Sequence, residues 1–148
     1  MTKLSLPVLG LALCLAAPAA ALEHEVVIAH PEGPITADYA GSVKVETRQL
    51  GTAAAPGRQS TLRCQWSASL DLERTAKVGE TLQTRRAMRA DDVVSGSTPG
   101  WCRNSAKAID QLVAAQRDRF HAAMLALVEQ DRNALLAEAS RSPVGRES

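Results

Sequence analysis

From Leu62 to Glu73 the chain alternates without a break. Leu62, Cys64, Trp66, Ala68, Leu70 and Leu72 fall on one parity; Arg63, Gln65, Ser67, Ser69, Asp71 and Glu73 fall on the other. Residues that share a helix face recur every three or four positions, so strict period-two alternation over a dozen residues has no helical solution. It dictates a long strand with one face in a core and one in water. At ~3.3 Å per residue such a strand spans roughly 40 Å, so strong twist or a bulge is expected along it.

The segments around it read as further strands. Val26-Val27-Ile28-Ala29 is a short β-branched run, apolar on both faces, lying between Glu25 and His30. Pro31-Glu32-Gly33-Pro34 is a turn, because proline and glycine pre-set its backbone angles. Ile35, Ala37 and Tyr39 alternate up to Gly41; Val43, Val45 and Thr47 then oppose Lys44, Glu46 and Arg48, a half-buried strand. Gly51 to Gly57 is a loop, and Lys77-Val78-Gly79 turns the chain again. Residues 80–90 read as an edge strand, with Leu82 and Met88 on one parity and Arg86 between them; charges there discourage pairing with other sheets. Gly96-Ser97-Thr98-Pro99-Gly100 reads as a tight connection into Trp101-Cys102.

After Ser105, a candidate N-cap, the period changes. Ile109, Leu112, Val113, Phe120, Met124, Leu127, Val128 and Leu135 recur at spacings of three and four, with no Gly or Pro before Pro143. This predicts one helix of about 50 Å at 1.5 Å per residue. Asp131 interrupts its stripe where the sheet should run out, so the last turns are expected to overhang into solvent. The expected fold is α+β: an antiparallel four-stranded meander, about residues 24–90, with one long C-terminal helix, about 105–141, packed across one face, and a short disordered tail. The loops are too short for parallel crossovers.

The first residues point to export. Lys3 precedes an apolar run from Leu4 to Leu15, and Ala16-Ala17-Pro18-Ala19-Ala20-Ala21 supplies small residues before Leu22-Glu23-His24-Glu25. The Ala-x-Ala rule puts cleavage after Ala21. A membrane anchor needs about 20 uninterrupted apolar residues, and Pro18 stands where a span would continue. A lipoprotein signal needs a small residue before its cysteine, whereas Leu13 precedes Cys14. Residues 1–21 therefore read as a signal peptide and residues 22–148 as one exported domain, periplasmic or secreted, with no membrane span once the signal is removed.

Without Lys3 the chain holds sixteen basic and sixteen acidic residues. Neutrality gives no nucleic-acid footprint. The cysteines remaining are Cys64 and Cys102, an even pair without a Cys-x-x-Cys motif, which in an exported protein predicts a structural disulfide. Trp66 and Trp101 neighbour them in sequence and suggest an aromatic cluster on that disulfide.

Candidate chemistry is sparse. The 96–100 segment is not Gly-x-Ser-x-Gly and lacks the strand-to-helix turn a nucleophile elbow needs. Asp91-Asp92 lacks the further oxygen ligands of a cation loop and reads as a solvated turn. Arg85, Arg86 and Arg89 read as a charged edge. Asp118 and His121 share a helix face as an exposed pair; His24 and His30 lie too far apart along a strand to share one ion. No cofactor motif is present. The sharpest feature is the processed N-terminus. The α-amine of Leu22, the amides of Glu23 and His24, and the His24 imidazole form a nitrogen set suited to square-planar Cu(II) or Ni(II).

Two functions remain. One is a binding or accessory module without catalysis, acting through its sheet or loops on an unidentified partner such as another periplasmic protein. The other is a metal-handling protein or small periplasmic enzyme, which needs His24, His30 or His121 to converge with one another or with carboxylates in a cleft.

Overall fold

The computed structural model describes residues 22–80 and 82–141. The expected signal peptide and the expected tail beyond Arg141 lie outside the described residues. Strands β1 (Leu22–Ile28), β2 (Ile35–Leu50), β3 (Arg63–Val78) and β4 (Leu82–Pro99) form one antiparallel meander in the order β1-β2-β3-β4. Helices α1 (Cys102–Ala114) and α2 (Arg117–Arg141) follow and pack on the sheet. The α+β meander expected from the alternation is the fold.

The core parity of β3 runs Cys64, Trp66, Ala68, Leu70, Leu72, Arg74, Ala76 and Val78, all buried. From β2 it meets Ile35, Ala37 and Tyr39, and from the helices Ile109, Val113, Phe120, Met124, Val128, Leu135 and Ala139. Trp66 packs so close to β4 that a Cβ on Gly96 would lie 2.7 Å from its ring. Only glycine lets the strand pass there.

Several boundaries differ from the expectations. Gly41 does not end a strand; β2 continues through it to Leu50, paired with β3 throughout. The sheet runs to Pro99 rather than about residue 90, so the segments read as an acidic turn and a tight connection are both strand. The irregularity expected of the long strand falls on its partner. Leu70 pairs with Ala90 and Ala68 with Val94, leaving Asp91, Asp92 and Val93 opposite Ser69. Asp92 adopts a left-handed φ of 48°, a conformation Asp tolerates better than most residues, and its N–H donates to Ser69 Oγ at 3.3 Å.

The single long helix is two. The apolar stripe has no large residue between Val113 and Phe120, and at that gap Gln116 N–H bonds to Val113 C=O, three residues back. That tighter turn breaks the helix without Gly or Pro. Ser105 is not the N-cap but lies buried inside α1, its hydroxyl donating to Trp101 C=O. Trp101 is the N-cap and supplies no side-chain bond. The capping acceptor comes from the sheet instead: Gln49 Oε1 accepts the Cys102 N–H at 2.8 Å, while its Nε2 donates to the carbonyls of Arg63 and Gly100. Cys64 and Cys102 form the disulfide, 38 residues apart, that fastens the same helix start to β3. Trp66 and Trp101 do not share one buried cluster: Trp66 is core, whereas Trp101 is 39% exposed under the Arg103 guanidinium, 5.0 Å from its ring centre.

Candidate functional site: a groove between the edge strand and the second helix

The helix α2 is held to the sheet by charge. Arg74 lies on the core parity of β3, fully buried, and its Nη1 donates to Asp131 Oδ2 at 2.8 Å. From β2, Tyr39 Oη donates to the same oxygen at 3.0 Å; from β4, Arg86 Nη1 donates to Asp131 Oδ1 at 3.1 Å. Two turns later on α2, Glu138 accepts from Arg74 Nη2 and from the Thr84 hydroxyl. Asp131 therefore does not overhang into solvent. It is the point on which three strands converge, and it is buried because two guanidiniums and a phenol replace its hydration. Burial and then the Asp131 charge push the Tyr39 phenol well above its ordinary pKa, against the opposing pull of Arg74 and Arg86.

This clamp sets α2 over β4, β3 and part of β2, leaving a groove between α2 and β1. His24, Val26 and Ile28 form one wall, Tyr39 the floor, and Leu125, Val128, Glu129, Arg132 and Leu135 the other wall, around a volume of about 300 Å³. Leu125 is 40% exposed at its rim. The lining is mainly apolar, with His24, Glu129 and Arg132 as its polar points. β1 is the terminal strand, and its outer edge carries no paired strand among the described residues. Unpaired backbone donors and acceptors thus run alongside an apolar trough. β1 itself is covered on one face only: Val26 and Ile28 are half-buried, but Val27 is 61% exposed as a lone outward side chain, not part of a patch.

The other sequence candidates are dispersed. His24 lines the groove; His30 Nδ1 accepts the Glu32 N–H in the turn after β1; His121 and Asp118 are exposed on α2. No three His, Cys, Asp or Glu side chains stand together as a metal site among the described residues. Arg85, Arg86 and Arg89 do not form one edge. Arg86 reaches inward to Asp131, while Arg89 on the outer face bonds Asp71 at 3.0 Å and Asp91. Leu22, Glu23 and His24 are strand residues paired with Gly41, Ala40 and Tyr39, and Leu22 is buried. Successive amides of a strand point to opposite sides. A square-planar chelate needs those nitrogens in one plane around the ion, so metal binding there requires the first three residues to leave β2.

The buried clamp was missed in the sequence, yet its charged members Arg74, Arg86 and Asp131 carried a signal: a charged residue at an inward position of an otherwise apolar pattern, with its opposite charge on another element. No family model matches the chain, and no curated protein or solved structure matches it. No helix among the described residues is long and apolar enough to cross a membrane.

Proposed function

We propose that this chain is an exported accessory module that holds an extended segment of another protein, working in the periplasm or outside the cell, by strand addition at β1, without chemistry of its own. The observation that carries the reading is the apolar groove lying beside an unpaired sheet edge. In strand addition the backbone bonds of the edge supply affinity independent of sequence, and the groove selects alternate side chains of the incoming strand. Here the groove wall contributed by α2 is fixed by the Arg74–Asp131–Tyr39 clamp, so the trough is formed before a ligand arrives, which lowers the entropic cost of binding. The disulfide suits an oxidising compartment, and the apolar leader with cleavage after Ala21 gives the route there.

The test is selection from a random displayed-peptide library against the oxidised chain beginning at Leu22. Recovered peptides should carry apolar residues at alternate positions, and Leu125→Arg should abolish their binding without moving the melting temperature, because Leu125 is a rim residue. Glu25→Lys, on the exposed outer face of β1, should bind as before. Binding indifferent to Leu125→Arg, or no recovered peptide at all, refutes the reading.

A further inference from the structure

The open edge on this side of the sheet does not stop with β1. β1 covers β2 only from Ile35 to Gly41, while β2 continues to Leu50, so the nine residues from Ser42 to Leu50 have no partner on that side among the described residues. An unpaired edge of that length is a template for another strand. We propose that it binds a second copy of the chain, β2 against β2 in antiparallel fashion about a two-fold axis, with Thr47 opposite Thr47.

The register follows from parity, space and charge. Along β2 the odd positions face the helices and the even positions Lys44, Glu46 and Arg48 face the polar side. Opposed residues of an antiparallel pair point to the same face, so only registers that match odd with odd keep both faces intact. Three such registers give useful overlap, centred on Glu46, on Thr47 or on Arg48.

Centred on Glu46, the pairing opposes Glu46 with Glu46 and Lys44 with Arg48, like charges at the closest cross-strand distance. It also fails on space. The hairpin after β2 is still closed at Thr52, whose C=O accepts the Thr61 N–H at 3.2 Å. Thr52 of the second copy would then fall opposite Ala40, the place Glu23 of β1 already fills. Centred on Arg48, the pairing opposes two arginines and joins only five residues.

Centred on Thr47, Glu46 of each copy faces Arg48 of the other, and the two threonines pair on the helix side. Thr52 of the second copy lands opposite Ser42, the last free position before Leu22, which pairs with Gly41. Charge and space select the same register independently. Glu46 is free to take the new partner, since its contacts with Lys44 at 3.6 Å and Arg89 at 3.7 Å are exposed.

This surface is distinct from the β1 groove, and the two are separable by experiment. The chain beginning at Leu22, with its disulfide intact, should show a concentration-dependent monomer–dimer equilibrium by sedimentation. Glu46→Arg or Arg48→Glu alone should weaken the dimer by about tenfold or more, since each change turns two attractive cross-strand pairs into two repulsive ones. The double variant Glu46→Arg with Arg48→Glu should recover the dimer. Thr47→Cys should give a covalently linked dimer on oxidation, whereas Val43→Cys, facing Gly51 of the second copy, should not. All four positions are exposed, and circular dichroism checks that the fold is kept. A chain that stays monomeric at every concentration and fails to cross-link through residue 47 overturns the proposal, as does a dimer indifferent to Glu46→Arg. Leu125→Arg should leave the dimer intact, and Glu46→Arg should leave peptide binding intact.

Discussion

Arg74 of β3 and Asp131 of α2 meet at 2.8 Å with neither side chain exposed to solvent. An isolated charge in that position would be expensive to bury, and the pair is tolerated because Tyr39, Arg86 and Glu138 add hydrogen bonds to it, leaving only the Arg74 Nε of the pair without a partner among the described residues. Asp131→Ala leaves Arg74 buried with the half-buried Glu138 as its remaining ion-pair partner and strips the partner from Tyr39 and Arg86, so it should cost about 3–5 kcal/mol in denaturant unfolding. Replacing both partners by apolar residues, Arg74→Met with Asp131→Leu, should cost less than Asp131→Ala alone. A loss under about 1 kcal/mol for the single variant, the range of an exposed pair, would contradict the clamp.

Tyr39 is the only tyrosine of the chain, so its phenolate absorbance can be followed alone. The folded state raises its pKa through burial and the Asp131 charge, and so holds the proton more tightly than the unfolded chain, whose phenol titrates near 10. Stability is therefore intact below about pH 10 and falls as the pH rises beyond it. Phenolate should appear together with unfolding, and Tyr39→Phe should flatten the alkaline loss. Phenolate forming near pH 10 in protein that is still folded would disprove the coupling.

The Cys64–Cys102 bond closes a loop of 38 residues, for which chain entropy gives about 4 kcal/mol. Reduction, or the double variant Cys64→Ala with Cys102→Ala, should lower the unfolding free energy by about that amount. Gln49 still caps α1 in its absence, so the reduced chain should keep native circular dichroism in the absence of denaturant. Two titratable thiols in the oxidised, unfolded chain beginning at Leu22 would rule the bond out.

Copper tests the N-terminal motif against the fold. A chain beginning at Leu22 should bind Cu(II) through Leu22, Glu23 and His24 only as those residues leave β2. Unburying Leu22 alone costs about 1.5–3 kcal/mol, so the affinity should fall about ten- to a hundredfold below that of a free peptide with the same first residues. His24→Ala should abolish binding; His30→Ala and His121→Ala should not. Affinity equal to the free peptide would mean that β1 is not paired at its start.

The sequence by itself determined the layers of this protein. Alternation from Leu62 to Leu72 demands a strand with one dry face, and the stripe from Ile109 to Leu135 demands helix to cover it; both patterns are local consequences of backbone period. The two cysteines, on the core parity of one strand and at the head of the helix, announced their own link. Element ends were less legible, because they depend on partners. Gly96–Pro99 has turn composition, yet it stays extended because β3 pairs with every residue of it from Trp66 to Arg63, while Asp91-Asp92 stays within β4 as a bulge opposite Ser69.

The groove and its clamp were decided by tertiary structure alone. Arg74, Arg86 and Asp131 each look like the end of an apolar pattern when read along the chain, and each is in fact its continuation. A buried charge is permitted only by an opposite charge supplied from another element, and which strand lies under which turn of α2 is fixed by packing, not by local period. The same holds for the edge of β2: its Lys-Val-Glu-Thr-Arg pattern is ordinary for a half-buried strand, and only the pairing shows that, among the described residues, β1 covers it no further than Gly41.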